Sequence, residues 1–295
     1  KGKEVDRLTL KTILSIKRSK LSVDNQLNYD LFRRNAEMSV EKQQFPGEYL
    51  VINQMEGLPR DVPSMIEMMP RSNLNDYKTI LSRLSGVSDL VDQTIVLLQE
   101  GLVRGIVPPK IPLRTLADQV LGQIHEDAFA SPMLTHFKSF PETVSLIDQA
   151  RLKKTAENVY LSEVKPALNR LHVYLRDEYV PKCRDSVGRS ALPNGLKWYD
   201  YMIRHYTTTS LTPDKIHEIG LIEVKRIREE MEAIKEEVGF NEGLIDFFKF
   251  LRTDSRFYYE TADELLAGYR DICKRADPEL IKLFRKLPRQ PYGVV

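Results

Sequence analysis

Thr212-Pro213-Asp214-Lys215-Ile216-His217-Glu218-Ile219-Gly220-Leu221-Ile222-Glu223-Val224 opens the clearest periodic run in the chain. Thr212 fits a helix N-cap, where its hydroxyl accepts from an orphan amide. Pro213 fits the first helical position, where its missing N–H costs nothing. Ile216, Ile219, Val224, Ile227, Met231, Ile234 and Val238 recur at helical spacing, and Gly239 is placed to end the run as a C′ residue. The spacing predicts one long amphipathic helix.

The same period continues on both sides. Downstream, Leu244, Phe247, Phe248 and Leu251 share a face, and Thr261-Ala262-Asp263-Glu264 has capping-box spacing before Leu265, Tyr269 and Ile272. Asp277-Pro278 opens a last helix, with Ile281, Phe284 and Leu287 expected to face inward. Upstream, helices are expected from Ser22 to Pro46-Gly47, over Tyr77–Leu102 with a break at Ser85-Gly86, over 113–124, over 142–179 with a kink at Pro166, and over 196–206. Residues 46–73 read as an irregular crossing, and 125–141 as a loop. The only tempting strand is Tyr49-Leu50-Val51-Ile52. The fold class expected is therefore mainly α, an elongated multi-helix body with at least eight helices. Since no Gly/Ser-rich or charged linker interrupts 74–290, residues 1–295 are expected to form a single helical region, with 1–73 and 74–295 as its subdivision.

The chain has 295 residues, of which 42% are hydrophobic and 29% charged, enough apolar content for a core. Lys plus Arg is 44 against 42 for Asp plus Glu, a near-balance that argues against a nucleic-acid binder. Two cysteines exclude a disulfide framework and a four-thiolate zinc site, and no apolar stretch is long enough to span a membrane. Both ends read as cuts, so compartment stays open between cytoplasm and cell envelope.

Zinc hydrolases often place two histidines four residues apart on a helix. His125-Glu126 and His217-Glu218 each lack the second histidine, so no metal ligands are assigned and the chain alone is expected to bind no zinc and to be inactive. Cys183 lies between Lys182 and Arg184, which lower a thiol pKa, but no paired histidine is identifiable, and a structural or exposed cysteine is the plainer reading. From Leu192 to Thr209, Trp198, Tyr199, Tyr201, Arg204, His205 and Tyr206 precede three threonines. Such a stretch can line a substrate groove, with Arg204 binding a carboxylate. Its bland alternative is a core stripe of Tyr199, Met202 and Tyr206 followed by helix-ending threonines.

Gly195, Tyr199, Thr207-Thr208 and the Thr212–Val224 run together resemble the domain of unknown function 885 family of bacterial proteins. Weaker support comes from Leu21-Ser22-Val23-Asp24, Asp76-Tyr77, Gly101 with Gly105, and Leu287-Pro288 with Tyr292-Gly293-Val294. Members of that family are about twice as long, and their later half carries His-Glu-x-x-Pro-Gly-His-His and Glu-Gly-Trp-Ala segments like those of gluzincin-type zinc metallopeptidases. The resemblance implies that this chain is the N-terminal half of such a fold. It would form one wall of the substrate cleft of a zinc-dependent peptidase-like hydrolase, with zinc held in the missing C-terminal half. Tyr199, Thr208, His217 and Arg204 are the substrate-binding candidates. His217 is expected to be buried and hydrogen-bonded beside Tyr199, with Gly220 allowing close approach. The partners implied are the missing half, a peptide substrate, or a second copy through an uncovered apolar wall. The alternative class is a non-catalytic helical scaffold or peptide- or protein-binding domain.

Overall fold

The computed structural model describes residues 2–290 and 292–295. Tyr292, part of the closing family pattern, is exposed, and its hydroxyl donates to the Cys273 carbonyl at 3.4 Å. The chain divides into two compact units, Lys1–Thr212 and Pro213–Val295. The division falls between Thr212 and Pro213, not at the expected 73/74 boundary. Residues 58–68 explain the difference, because Leu58, Val62 and Ile66 are buried in the same core as Tyr77, Leu98 and Leu168.

The first unit begins with α1 (Gly2–Ser15) packed on α2 (Val23–Lys42). Ser22 caps α2, its hydroxyl accepting from the Asn25 amide at 3.4 Å. The irregular crossing expected over 46–73 instead contains α3 (Leu58–Met68). Pro59 sits in its first turn, where proline is tolerated, but Pro63 lies inside it and leaves the Pro59 carbonyl without a helical donor. The side chain of the buried Gln123 donates to that carbonyl from another segment. A long-range hydrogen bond thus permits a helix that local reading rejects.

Next come α4 (Leu74–Ser85), opened by an Asn73–Asp76 capping box, and α5 (Val87–Arg104), which meets α4 at Gly86 as the sequence predicts. A short α6 (Leu116–Leu121) precedes two 3₁₀ segments. The long helix expected over 142–179 begins at α7 (Leu146–Val159) and continues through α8 (Lys165–Tyr174) to α9 (Val180–Lys182). Its two joints are π-turns, Tyr160–Val164 and Leu175–Tyr179. Each is followed two residues later by a proline, Pro166 or Pro181. A proline cannot donate back along the ladder and its ring crowds the carbonyl one turn earlier. Widening the ladder to i→i+5 just before it accommodates both effects.

The core of this unit is built on Tyr77, Ile80, Leu84, Leu98, Leu168 and Leu171, all fully buried. His136 and His172 are also buried and serve packing. The His136 Nε2 lies 2.8 Å from the Ile66 carbonyl, and its Nδ1 faces Arg71 at 3.1 Å. The His172 Nδ1 lies 3.0 Å from the Ala117 carbonyl. Cys183 is buried, and burial pushes its thiol up from 9.0 to about 11 despite Lys110 and Arg184 nearby. A raised folded-state pKa favours the neutral thiol, so the associated stability is present below pH 9.0 and lost as pH rises towards about 11. At neutral pH, iodoacetamide should therefore modify the half-buried Cys273 and spare Cys183 until the protein unfolds. Mass mapping that found Cys183 alkylated first in the native protein would refute this.

The unit closes with α10 (Gly195–Thr207). The second unit comprises α11 (Pro213–Glu237), α12 (Leu244–Thr253), α13 (Ala262–Ala276) and α14 (Leu280–Leu283). The starts at Pro213 and Ala262 fall where the sequence predicts, and Thr261 forms the expected capping box with Glu264. Phe240, Phe247 and Phe250 cluster at ring separations of 5.2–6.3 Å. In contrast, α11, α13 and α14 contain no buried residue. Ile281, Phe284 and Leu287, expected to face inward, are exposed.

Among the described residues there are no strands; the isolated bridge between Pro109 and Arg184 is the one β-type pairing. The mainly α expectation and its minimum of eight helices both hold. No helix among the described residues is long and apolar enough to cross a membrane.

Candidate functional site

The aromatic stretch of α10 does build a cavity, but with a different set of side chains from those expected. Trp198 and Tyr201 are buried, three residues apart on one helix face, whereas Tyr199 is 44% exposed and Tyr206 73%. The core stripe is thus displaced by one residue from Tyr199, Met202 and Tyr206. Trp198 stacks on Phe45 at 5.7 Å with 10° between the planes, and the Tyr201 hydroxyl donates to the Met38 carbonyl at 3.1 Å. His205 stacks over Tyr201 at 5.9 Å and meets Tyr206 edge-on at 4.9 Å.

These rings, with Lys42, Gly47 and Leu50 opposite, line a cavity of about 410 Å³. Its further wall is Arg189, whose guanidinium lies 4.5 Å from the Trp198 ring centre. Burial, helped by the nearby Arg184 charge, holds the Arg189 guanidinium below its usual range, and no carboxylate among the described residues pairs with it. No Asp or Glu lines the cavity.

The segment carrying Arg189 is fixed from three directions. Arg184 Nε donates to the Val107 carbonyl at 3.0 Å, and its Nη1 donates to the carbonyls of Ser186 and, at 2.9 Å, of Gly188. The Lys110 amide donates to the Arg184 carbonyl at 2.7 Å. At the other end, Arg189 and Ser190 lie so close to Gly195 that a Cβ there would stand 2.1 Å from the Arg189 carbonyl oxygen. The glycine of the family pattern is therefore a close-approach residue.

The four substrate-binding candidates fare differently. Arg204 forms a two-pronged pair with Glu41 at 2.6 and 3.1 Å, and its carbonyl accepts from Arg34 at 2.6 Å. That hydrogen bonding to Glu41 raises the Arg204 pKa and already uses the fork proposed for a ligand. Thr208 is the left-handed residue that ends α10, at φ 56°, while the Thr207 hydroxyl donates to the Ile203 carbonyl at 2.8 Å. Tyr199 points away from the cavity lining. His217, expected to be buried, is exposed, and nothing lies within 4 Å of a Cβ built on Gly220. No neighbouring group packs against α11 at Gly220, so the propensity cost of a glycine there is not offset by packing. Tyr199, Arg204 and Thr208 share α10, while His217 belongs to the second unit. Arg189, Phe45 and Lys42 escaped sequence reading because each sits in a different segment, with no periodic pattern linking it to α10.

Residues 2–295 match the family described as Bacterial protein of unknown function (DUF885). The chain belongs to the DUF885 family. A solved structure described as "the putative lipoprotein from Colwellia psychrerythraea" is similar to this DUF885 chain with a TM-score of 0.87 at 20% identity. The similarity covers 98% of this chain and 53% of that one, so the DUF885 chain spans about half the length of the structure it matches. At that identity the likeness shows the fold alone. A search of curated proteins finds no match. Among the described residues no three His, Cys, Asp or Glu side chains converge as metal ligands. Zinc therefore has no fitting site among them.

Proposed function

We propose that these residues form the helical, substrate-facing part of a zinc-dependent peptidase-like hydrolase, with the catalytic ligands on further residues of a longer DUF885 protein. The observation that carries this reading is the uncovered apolar face of the second unit. Val224, Ile227 and Met231 of α11 join Leu244, Ile245 and Phe248 around an apolar groove of about 340 Å³. Leu221 is 60% exposed and Ile245 84%. Exposed apolar side chains gathered along one helix pair are the kind of surface that marks an interaction face. The additional length of the similar solved structure supplies a natural occupant for it.

Two measurements test the proposal. Hydrogen exchange along α11 and α12 should slow markedly when the chain is extended to the longer family length. The extended, zinc-supplied protein should then hydrolyse peptide bonds that the 295-residue chain leaves intact. A longer protein with unprotected α11, or one that is zinc-free and inert, would favour the scaffold class instead.

A further inference from the structure

We propose that the cavity between α2, α10 and the 184–190 segment binds an organic carboxylate whose adjoining side chain is aromatic or apolar. The argument begins with charge. Arg189 and Lys42 border the cavity, and no acidic side chain lines it. A half-buried guanidinium without an anionic partner loses hydration and gains no ion pair in return, an arrangement that favours an incoming anion. Arg204, by contrast, is neutralised by Glu41, so the unmatched charge resides on Arg189.

The second element is shape. Phe45, Leu50, Trp198 and Met202 give the cavity an apolar lining, and its volume of about 410 Å³ suits a small organic molecule. A bare inorganic anion would satisfy Arg189 and leave that lining uncovered. A neutral apolar compound would cover the lining and leave Arg189 unpaired. A carboxylate attached to a ring or branched alkyl group satisfies both.

The third element is rigidity. The hydrogen bonds of Arg184, the close backbone approach at Gly195 and the Trp198 face hold Arg189 in place before any ligand arrives. A prepositioned guanidinium fork reduces the ordering cost of binding. This assignment concerns binding by the chain itself and stands independently of the hydrolase reading. Its test requires no turnover.

The chain has a single tryptophan, and Trp198 lies under Arg189, so intrinsic fluorescence reports directly on the cavity. N-acetyl-phenylalanine should change that emission saturably, and its C-terminal amide should bind at least about tenfold more weakly, since only the acid offers the fork its two oxygens. Arg189→Gln should weaken acid binding by about tenfold or more. Lys42→Gln, a surface change with no bearing on folding, should weaken it by a smaller factor. Circular dichroism should show that both variants retain helix. The tripeptide Gly-Gly-Phe distinguishes the source: tighter binding than the N-acetyl acid assigns a peptide C-terminus, and equal or weaker binding assigns small free acids. The proposal fails if acid and amide bind alike, if a folded Arg189→Gln binds as the wild type does, or if inorganic phosphate displaces the acid at equal concentration.

Discussion

Gly195→Ala is expected to destabilise the first unit by about 3 kcal/mol, the upper range for forcing a side chain into a filled space. The added Cβ would stand 2.1 Å from the Arg189 carbonyl oxygen and 2.9 Å from the Ser190 Cα. Both are main-chain atoms, so no flexible side chain can swing aside. Either α10 shifts with Trp198 and Tyr201, or the Arg189 segment does, and each movement disturbs the cavity. Urea unfolding followed by the emission of Trp198 reads the unit in question. An unchanged midpoint would show that the approach at Gly195 is looser than described, and would weaken the account of how Arg189 is held.

Tyr160→Phe should cost about 2–4 kcal/mol, because one oxygen serves two groups. The buried Tyr160 hydroxyl donates to the Gln123 carbonyl at 2.8 Å and accepts from the His125 amide at 3.0 Å. Removing it leaves a donor and an acceptor unpaired while changing the packed volume very little. The loss should appear as a lower urea midpoint with an unaltered helical spectrum. A change below about 0.5 kcal/mol, the lower end for a net hydrogen bond, would mean that neither bond is made. Tyr160 also begins the first π-turn, so the variant tests whether that turn is anchored through the loop at 123–125.

The limits of sequence reading are instructive at α10. Trp198, Tyr199, Tyr201, His205 and Tyr206 contain two overlapping stripes at helical spacing, one through Trp198 and Tyr201, the other through Tyr199, Met202 and Tyr206. Propensity does not choose between them. Phe45 and Met38 do, by giving Trp198 a ring to stack on and Tyr201 a carbonyl to donate to. The same holds at Pro63, where helix continuation depends on a distant glutamine. His217 illustrates the opposite error. A histidine and a glycine three residues apart on an apolar helix suggest close packing, yet periodicity specifies only which face is apolar, and nothing lies within 4 Å of a Cβ added at Gly220.

What the sequence determined by itself was local. Ser22, Asn73, Thr261 and Pro213 set helix starts, because a cap or a first-turn proline acts through atoms a few residues away. The family pattern was legible in the same way, as residue types at fixed spacing. The tertiary structure alone decided the division at Thr212, the helix at 58–68, the neutralisation of Arg204 by Glu41 and the isolation of Arg189 above Trp198. Each of these depends on which groups, distant in sequence, share a desolvated space. Burial and charge pairing are set by that proximity, which no single run of residues encodes.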